Sequence, residues 1–184
     1  MRLFIASAFP EEILRALNER LGPVKPTLPA ASWVRPETQH LTFAFLGEQE
    51  ESLLQSLDTR VRAALAPIAG FDAALRGCGF FPNARRARVG WVGVEPEERF
   101  RDAARAVRDA VQSSGIELDG ADFKAHLTLM RIRDQWPTPA IEAFESALRD
   151  FRSAAFAVDR VTLYSSRLNP KGAIHTALRE FLLA

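Results

Sequence analysis

Two stretches of this chain repeat one another. His40-Leu41-Thr42-Phe43 is echoed 86 residues later by His126-Leu127-Thr128-Leu129. Each copy shares its half of the chain with a long amphipathic helical pattern. A repeated unit predicts two similar lobes related by an approximate two-fold axis. In a strand, residues i and i+2 share a face. His40 and Thr42 therefore point one way while Leu41 and Phe43 point the other, and His126 with Thr128 repeats the arrangement. Each copy presents an imidazole beside a hydroxyl, backed by apolar side chains that anchor the strand.

The surrounding pattern is mixed. Arg2 to Phe9 reads as a buried strand. Pro10-Glu11-Glu12 opens a helix whose Ile13, Leu14, Leu17 and Leu21 form one stripe, and Gly22-Pro23 ends it. Leu41 to Leu46 is a second strand, and Glu51 to Ile68 a helix. Phe71 to Phe81 and Arg88 to Val94 read as a hairpin about Pro82-Asn83. Pro96 to Ser114 is a helix with Phe100, Ala103, Ala104, Val107 and Val111 on one face. Leu127 to Ile132 is a strand and Pro139 to Phe151 a helix. Phe156 to Tyr164 and Ala173 to Leu183 are the last strands. Helices interspersed with strands on short turns predict an α+β fold with antiparallel sheets. No Pro/Gly/Ser-rich linker divides the chain, so residues 1–184 are expected to form one domain of two duplicated lobes.

The chain has 184 residues, long enough to bury a core without staples. Its one cysteine, Cys78, cannot close an internal disulfide or complete a cysteine-based zinc site, which is compatible with a cytoplasmic setting. The apolar start, Met1 to Phe9, is too short for a signal peptide, and no run reaches the length a bilayer needs. No membrane partner is expected. Lys and Arg number 24 against 23 Asp and Glu. That balance argues against a protein coating many phosphates, while leaving room for a small basic cleft. Only three histidines are present, and two of them sit in the repeat.

Two imidazoles and two hydroxyls suit transesterification or hydrolysis at phosphate. One neutral imidazole takes a proton from the attacking oxygen and one imidazolium gives a proton to the leaving oxygen. Thr42 and Thr128 can donate hydrogen bonds to the non-bridging oxygens. This chemistry requires no metal and no cofactor. The residues alone leave open which histidine is acid and which is base.

The repeat resembles the two signatures of the 2H phosphoesterases, and within them the bacterial RNA 2′,3′-cyclic phosphodiesterases, also called 2′-5′ RNA ligases or LigT-like proteins. RLFIASAFP at the start, HLTFAFLG at residues 40–47, RVGWVGV at 88–94, FKAHLTLMR at 123–131 and LYSSRL at 163–168 carry the resemblance across nearly the whole chain. Ala125 replaces a common proline, and Phe43 a usual leucine. The resemblance implies a bilobal α+β fold, each lobe an antiparallel sheet flanked by helices, with the catalytic pair facing across a groove. It implies hydrolysis of an RNA 2′,3′-cyclic phosphate to a 2′-phosphomonoester, with reversible ATP-independent 2′-5′ joining. Carried over, His126 is the base and His40 the acid. The family's arginine near the phosphate corresponds to Arg131, which regular strand alternation would turn away from His126; a bulge would reconcile the two. The implied partners are RNA with a cyclic phosphate end or small cyclic nucleotides, and nothing in the pattern demands more than a monomer.

Other side chains are weaker candidates. Phe123 and Tyr164 are expected to stack on a base, and Lys124 to touch phosphate. Arg85, Arg86 and Arg88 form a basic hairpin tip that could follow an RNA backbone. His175, without a threonine two residues on, reads as structural, and Cys78 as a small packed residue. The main alternative function is a non-catalytic module that binds nucleotides or RNA ends on the same fold. A metal-dependent hydrolase is disfavoured because no ligand spacing such as HExxH accompanies the histidines.

Overall fold

Leu3, Phe4, Ile5 and Ala6 are consecutive and apolar, and all four are buried in β1 (Arg2–Ala8). A strand apolar on successive residues must be covered on both faces. A computed structural model describes residues 1–120, 122–169 and 172–184, and in it β1 is an inner strand of a four-stranded antiparallel sheet. The order is β3 (His40–Glu48), β1, β8 (Arg160–Asn169), β9 (Gly172–Leu182). The second sheet has five strands in the order β2 (Ser32–Trp33), β6 (His126–Arg131), β5 (Val89–Glu95), β4 (Phe71–Phe81), β7 (Phe156–Val158). The fold is thus α+β with two antiparallel sheets, as the element order implied.

Among the described residues four α-helices accompany the sheets: α1 (Glu11–Leu21), α2 (Leu54–Leu65), α3 (Glu97–Gln112) and α4 (Thr138–Leu148). Each follows the expected stripe. Phe100, Ala103, Ala104, Val107, Ala110 and Val111 are the buried side of α3. Glu97 and Glu98 occupy its first turn, where the helix dipole favours carboxylates. Helices α2 and α3 pack on each other, with α2 on β9 and α3 on β3, whereas α1 meets α4, which lies on β4. One continuous buried cluster joins Leu3 and Ile5 of the first sheet to Leu75, Val92 and Leu127 of the second.

The lobes are not the two halves of the chain. The first sheet takes its strands from both ends, and the second takes all of its strands from between β1 and β8. Helix α3 follows β5 of the second sheet but packs on β3 of the first. The strand expected over Phe156 to Tyr164 is divided accordingly. Phe156–Val158 pairs with β4, and from Arg160 onward the chain pairs with β1 and β9. The buried residues Phe156, Val158, Val161 and Leu163 change phase at this crossing, which is the physical sign of the break. The helix expected over Glu51 to Ile68 is also shorter: a 3-10 turn at Glu51–Leu53 precedes α2. The two-residue β2 has no alternation long enough to be legible.

Candidate active site

Strands β3 and β6 meet at the seam between the sheets, and each repeated motif opens one of them. Both motifs have the same burial pattern. The His and Thr are half-buried, the leucine between them is buried, the next two residues are buried, and the sixth is exposed. A register shift causes this in both strands. Opposite Ile5 and Ala6, β3 skips Phe43; opposite Gly90 and Trp91, β6 skips Leu129. The fourth residue of each motif is the extra one, so the side-chain phase slips by one. Phe43 with Ala44, and Leu129 with Met130, then enter the core together. The sixth residue, Phe45 or Arg131, returns to the side of the His and Thr. Gly90 lets this happen in β6, since a Cβ there would lie 2.4 Å from Met130 Cε.

The imidazoles are oriented alike. His40 Nδ1 lies 2.7 Å from the Thr38 carbonyl oxygen, and His126 Nδ1 lies 2.6 Å from that of Lys124. A carbonyl only accepts, so Nδ1–H donates in both rings and Nε2 is the nitrogen available for chemistry. Among the described residues neither ring has a carboxylate partner. Burial pushes His40 down to about 4, against the opposing pull of the Thr38 carbonyl, with the charges of His175 and His126 pushing further down. Burial also lowers His126, the Lys124 carbonyl opposes it, and the Lys124 ammonium adds to the lowering. Burial of the two rings therefore favours the neutral imidazoles, and an anion between them would draw a proton in.

The shift on His40 has a stability consequence. Its folded value lies below its ordinary value of 6.5, so the unfolded chain binds the proton more readily. Stability is fully present above pH ~6.5 and falls as the pH drops toward ~4, by about 2–3 kcal/mol from this group. Melts at pH 7 and pH 4.5 are expected to show a larger loss for the native chain than for His40→Asn. Equal losses would mean that the burial of His40 is not responsible.

The two walls differ. The His40 ring lies 4.8 Å from Phe4 and 5.2 Å from His175, centroid to centroid, and Phe4 stacks on Tyr164 at 5.2 Å. The His126 ring lies 4.8 Å from Phe81 and 6.3 Å from Trp91. His175, read as structural, is thus part of the His40 wall; the cross-strand pairs Phe4 with Tyr164 and Ser166 with His175 bring it there. Nothing in its own neighbourhood of sequence signalled that placement. Phe45 was also missed, although its spacing from His40 equals that of Arg131 from His126.

The remaining candidates divide. Arg131 is exposed, and among the described residues its guanidinium pairs with no carboxylate. Tyr164 is half-buried on Phe4. Phe123 stacks at 6.1 Å on the buried Phe43, which commits one face of its ring to the core. The Lys124 ammonium pairs with Glu97 at 2.9 Å and sits over Trp91, on the His126 side of the site. Burial and the nearby Glu145 push the Cys78 thiol up to about 11, which suits a packed residue and not a nucleophile. Among the described residues no group of three or more His, Cys, Asp or Glu is arranged to hold a metal ion, and no helix is long and apolar enough to cross a membrane.

Comparison with known proteins is consistent across sequence and structure. The sequence profile of the 2′-5′ RNA ligase superfamily matches residues 6–170. An RNA 2′,3′-cyclic phosphodiesterase of Thermus thermophilus is 35% identical over 194 residues, spanning 100% of this chain and 90% of the relative. One from Archaeoglobus fulgidus is 34% identical, spanning 98% and 99%. The crystal structure of TT0787 of Thermus thermophilus superposes with a TM-score of 0.78 at 31% identity, covering 100% and 98% of the two chains. Escherichia coli LigT complexed with 3′-AMP superposes at 0.77 with 26% identity, covering 99% and 97%.

Proposed function

The chain belongs to the 2′-5′ RNA ligase superfamily, and from that membership we propose that it hydrolyses RNA 2′,3′-cyclic phosphate ends to 2′-phosphomonoesters without a metal. The observation that carries the reading is the paired geometry. Two imidazoles, each fixed through Nδ1 by a backbone carbonyl two residues upstream, stand beside two threonines on strands that meet at one seam. The relatives named for this activity cover nearly the whole chain.

In the proposed step, His126 Nε2 takes a proton from water as its oxygen attacks phosphorus. The P–O3′ bond breaks, and O3′ takes the proton held on His40 Nε2. The 2′-ester is retained. Thr42 and Thr128 donate to the non-bridging oxygens, and Arg131 neutralises their charge. The anionic substrate raises the affinity of the groove for the one proton that burial of the imidazoles disfavours. Replacing water by a 5′-hydroxyl converts the same step to 2′-5′ joining, driven by opening of the cyclic ester. The partner is RNA with a cyclic phosphate end, or a small cyclic nucleotide, acted on by a monomer of one two-lobed domain in the cytoplasm. Tyr164 is the side chain proposed to contact the base.

The test is product analysis on an oligonucleotide ending in 2′,3′-cyclic phosphate, with EDTA present. A 2′-phosphate product formed at an unchanged rate is expected. Tight binding without turnover would replace the enzyme by a binding module, and loss of activity in EDTA would remove the metal-free step. The two imidazoles are held alike, so the alternative order has His40 as base and His126 as acid. A substrate with sulfur at the 3′ position separates the two, because a thiolate leaves without protonation. It restores turnover to the alanine variant of whichever histidine is the acid.

A further inference from the structure

Arg131 is the first of five arginines that continue away from the seam. Arg85, Arg86 and Arg88 lie on the β4–β5 turn, and Arg133 follows the end of β6. All five are exposed. Among the described residues none of their guanidiniums pairs with a carboxylate, a property shared with Arg2, Arg15, Arg20, Arg60, Arg99, Arg149 and Arg167 on other elements; the five are set apart by lying together on two adjoining segments. The turn, Arg131 and the loop after β6 together contain one acidic residue, Asp134, so they carry a formal +4. The rest of the chain has 19 Lys and Arg against 22 Asp and Glu, a formal −3. The near-zero total conceals a strong local asymmetry.

The two segments are tied together by their backbones. Arg131 is the cross-strand partner of Val89, and the Ile132 amide donates to the Arg88 carbonyl at 2.8 Å. The Arg88 guanidinium donates to the Arg133 carbonyl. Gln135 Nε2 donates to the Arg85 carbonyl at 2.8 Å, and the Asn83 side chain accepts from the Arg86 amide. A cleft of about 320 Å³ lies between them, lined by Pro82, Arg86, Ala87, Arg88 and Gln135. Like charges gathered without counter-charges repel unless a polyanion is bound.

We propose that this arginine-lined end of the second sheet holds the backbone phosphates of single-stranded RNA upstream of the nucleotide seated at the seam. The inference rests on the reading of the seam as a phosphate site, since Arg131 is common to both. The RNA terminus occupies the histidine pair, and the preceding phosphates run past Arg131 to Arg88 and Arg133, then to Arg85 and Arg86. The contacts are to phosphate, so they carry length preference and salt dependence without base preference.

The test uses the full chain carrying R85Q/R86Q/R133Q, which leaves Arg131 and the Arg88 tether untouched. The probe is single-stranded RNA of about ten nucleotides ending in a 2′-phosphate, followed by fluorescence anisotropy across a salt series. The variant is expected to bind it roughly tenfold more weakly at ~0.1 M salt, with a slope of log affinity against log salt shallower by about 2, that is ~0.7 for each phosphate contact removed. Hydrolysis of 2′,3′-cyclic AMP is expected to stay unchanged, and R105Q on α3 to leave the slope as it was. An unaltered slope in the triple variant overturns the proposal. So does equal affinity of the native chain for the oligonucleotide and for a mononucleotide, or for a glutamate-rich peptide of the same length. Oligonucleotide binding that obeys these expectations in a chain with no turnover would sustain the arginine path and sink the catalytic reading.

Discussion

Alanine at His126 or at His40 lowers kcat/KM on a 2′,3′-cyclic nucleotide by about 10²–10⁴ each, the range that one positioned proton transfer supplies. The two losses are not expected to add, because each imidazole works only while the other completes the transfer. Both variants stay folded. The imidazoles have one backbone bond each and no ion pair, and the strands that bear them are anchored by Leu41 and Leu127. Steady-state kinetics and a thermal melt on the same preparations check both halves of the expectation. Native-like turnover in either variant overturns the acid–base pair. Turnover lost together with the cooperative melt would place the histidines in the fold and not in the chemistry.

The largest expected change in stability comes from Phe43→Ala. Phe43 is 1% exposed, is the residue that β3 inserts against β1, and meets Phe123 from the approach to β6. Deleting it removes a buried ring and leaves a cavity, at about 3–5 kcal/mol. For a chain of this size that corresponds to a fall in Tm on the order of 10 °C. Phe43→Leu keeps most of the volume and costs less than about 1.5 kcal/mol. The alanine variant should also lose activity at temperatures where it is still folded, because the bulge that sets the phase of His40 and Thr42 is built on this ring. Calorimetry with kinetics at 20 °C tests this. A tolerated alanine would mean that the phase is held elsewhere.

Much of the site was legible in the chain because strand alternation is local. His40 with Thr42, and His126 with Thr128, needed only a period of two. The stripes of α1 and α3 needed only a period of 3.6. What stayed hidden depends on partners distant in sequence. The skip at Leu129 is defined by the strand opposite, so the side on which Arg131 emerges could be stated only as a condition. His175 approaches His40 through three successive strand pairings, β9 on β8, β8 on β1 and β1 on β3, and no local pattern encodes that. The division at Asp159 left a trace, a change of phase in the buried residues, that reads equally well as a bulge within one strand. Lys124 and Phe123 were plausible by adjacency to the second motif; what adjacency did not show is that Lys124 also pairs with Glu97 and that Phe123 also stacks on Phe43.

The interleaving of the sheets has a mechanical consequence. The chain crosses the seam after β1, before β3, after α2, around α3 and again at Asp159, so the two walls of the groove are stitched together many times. Such a molecule is a fixed jaw. With no single hinge segment to bend, the distance between the imidazoles is set when the chain folds, and selection between substrates is a matter of fit and charge at the entrance. A break in any one connection leaves both walls still held by the others, whereas removal of the last two strands strips the first wall to a pair.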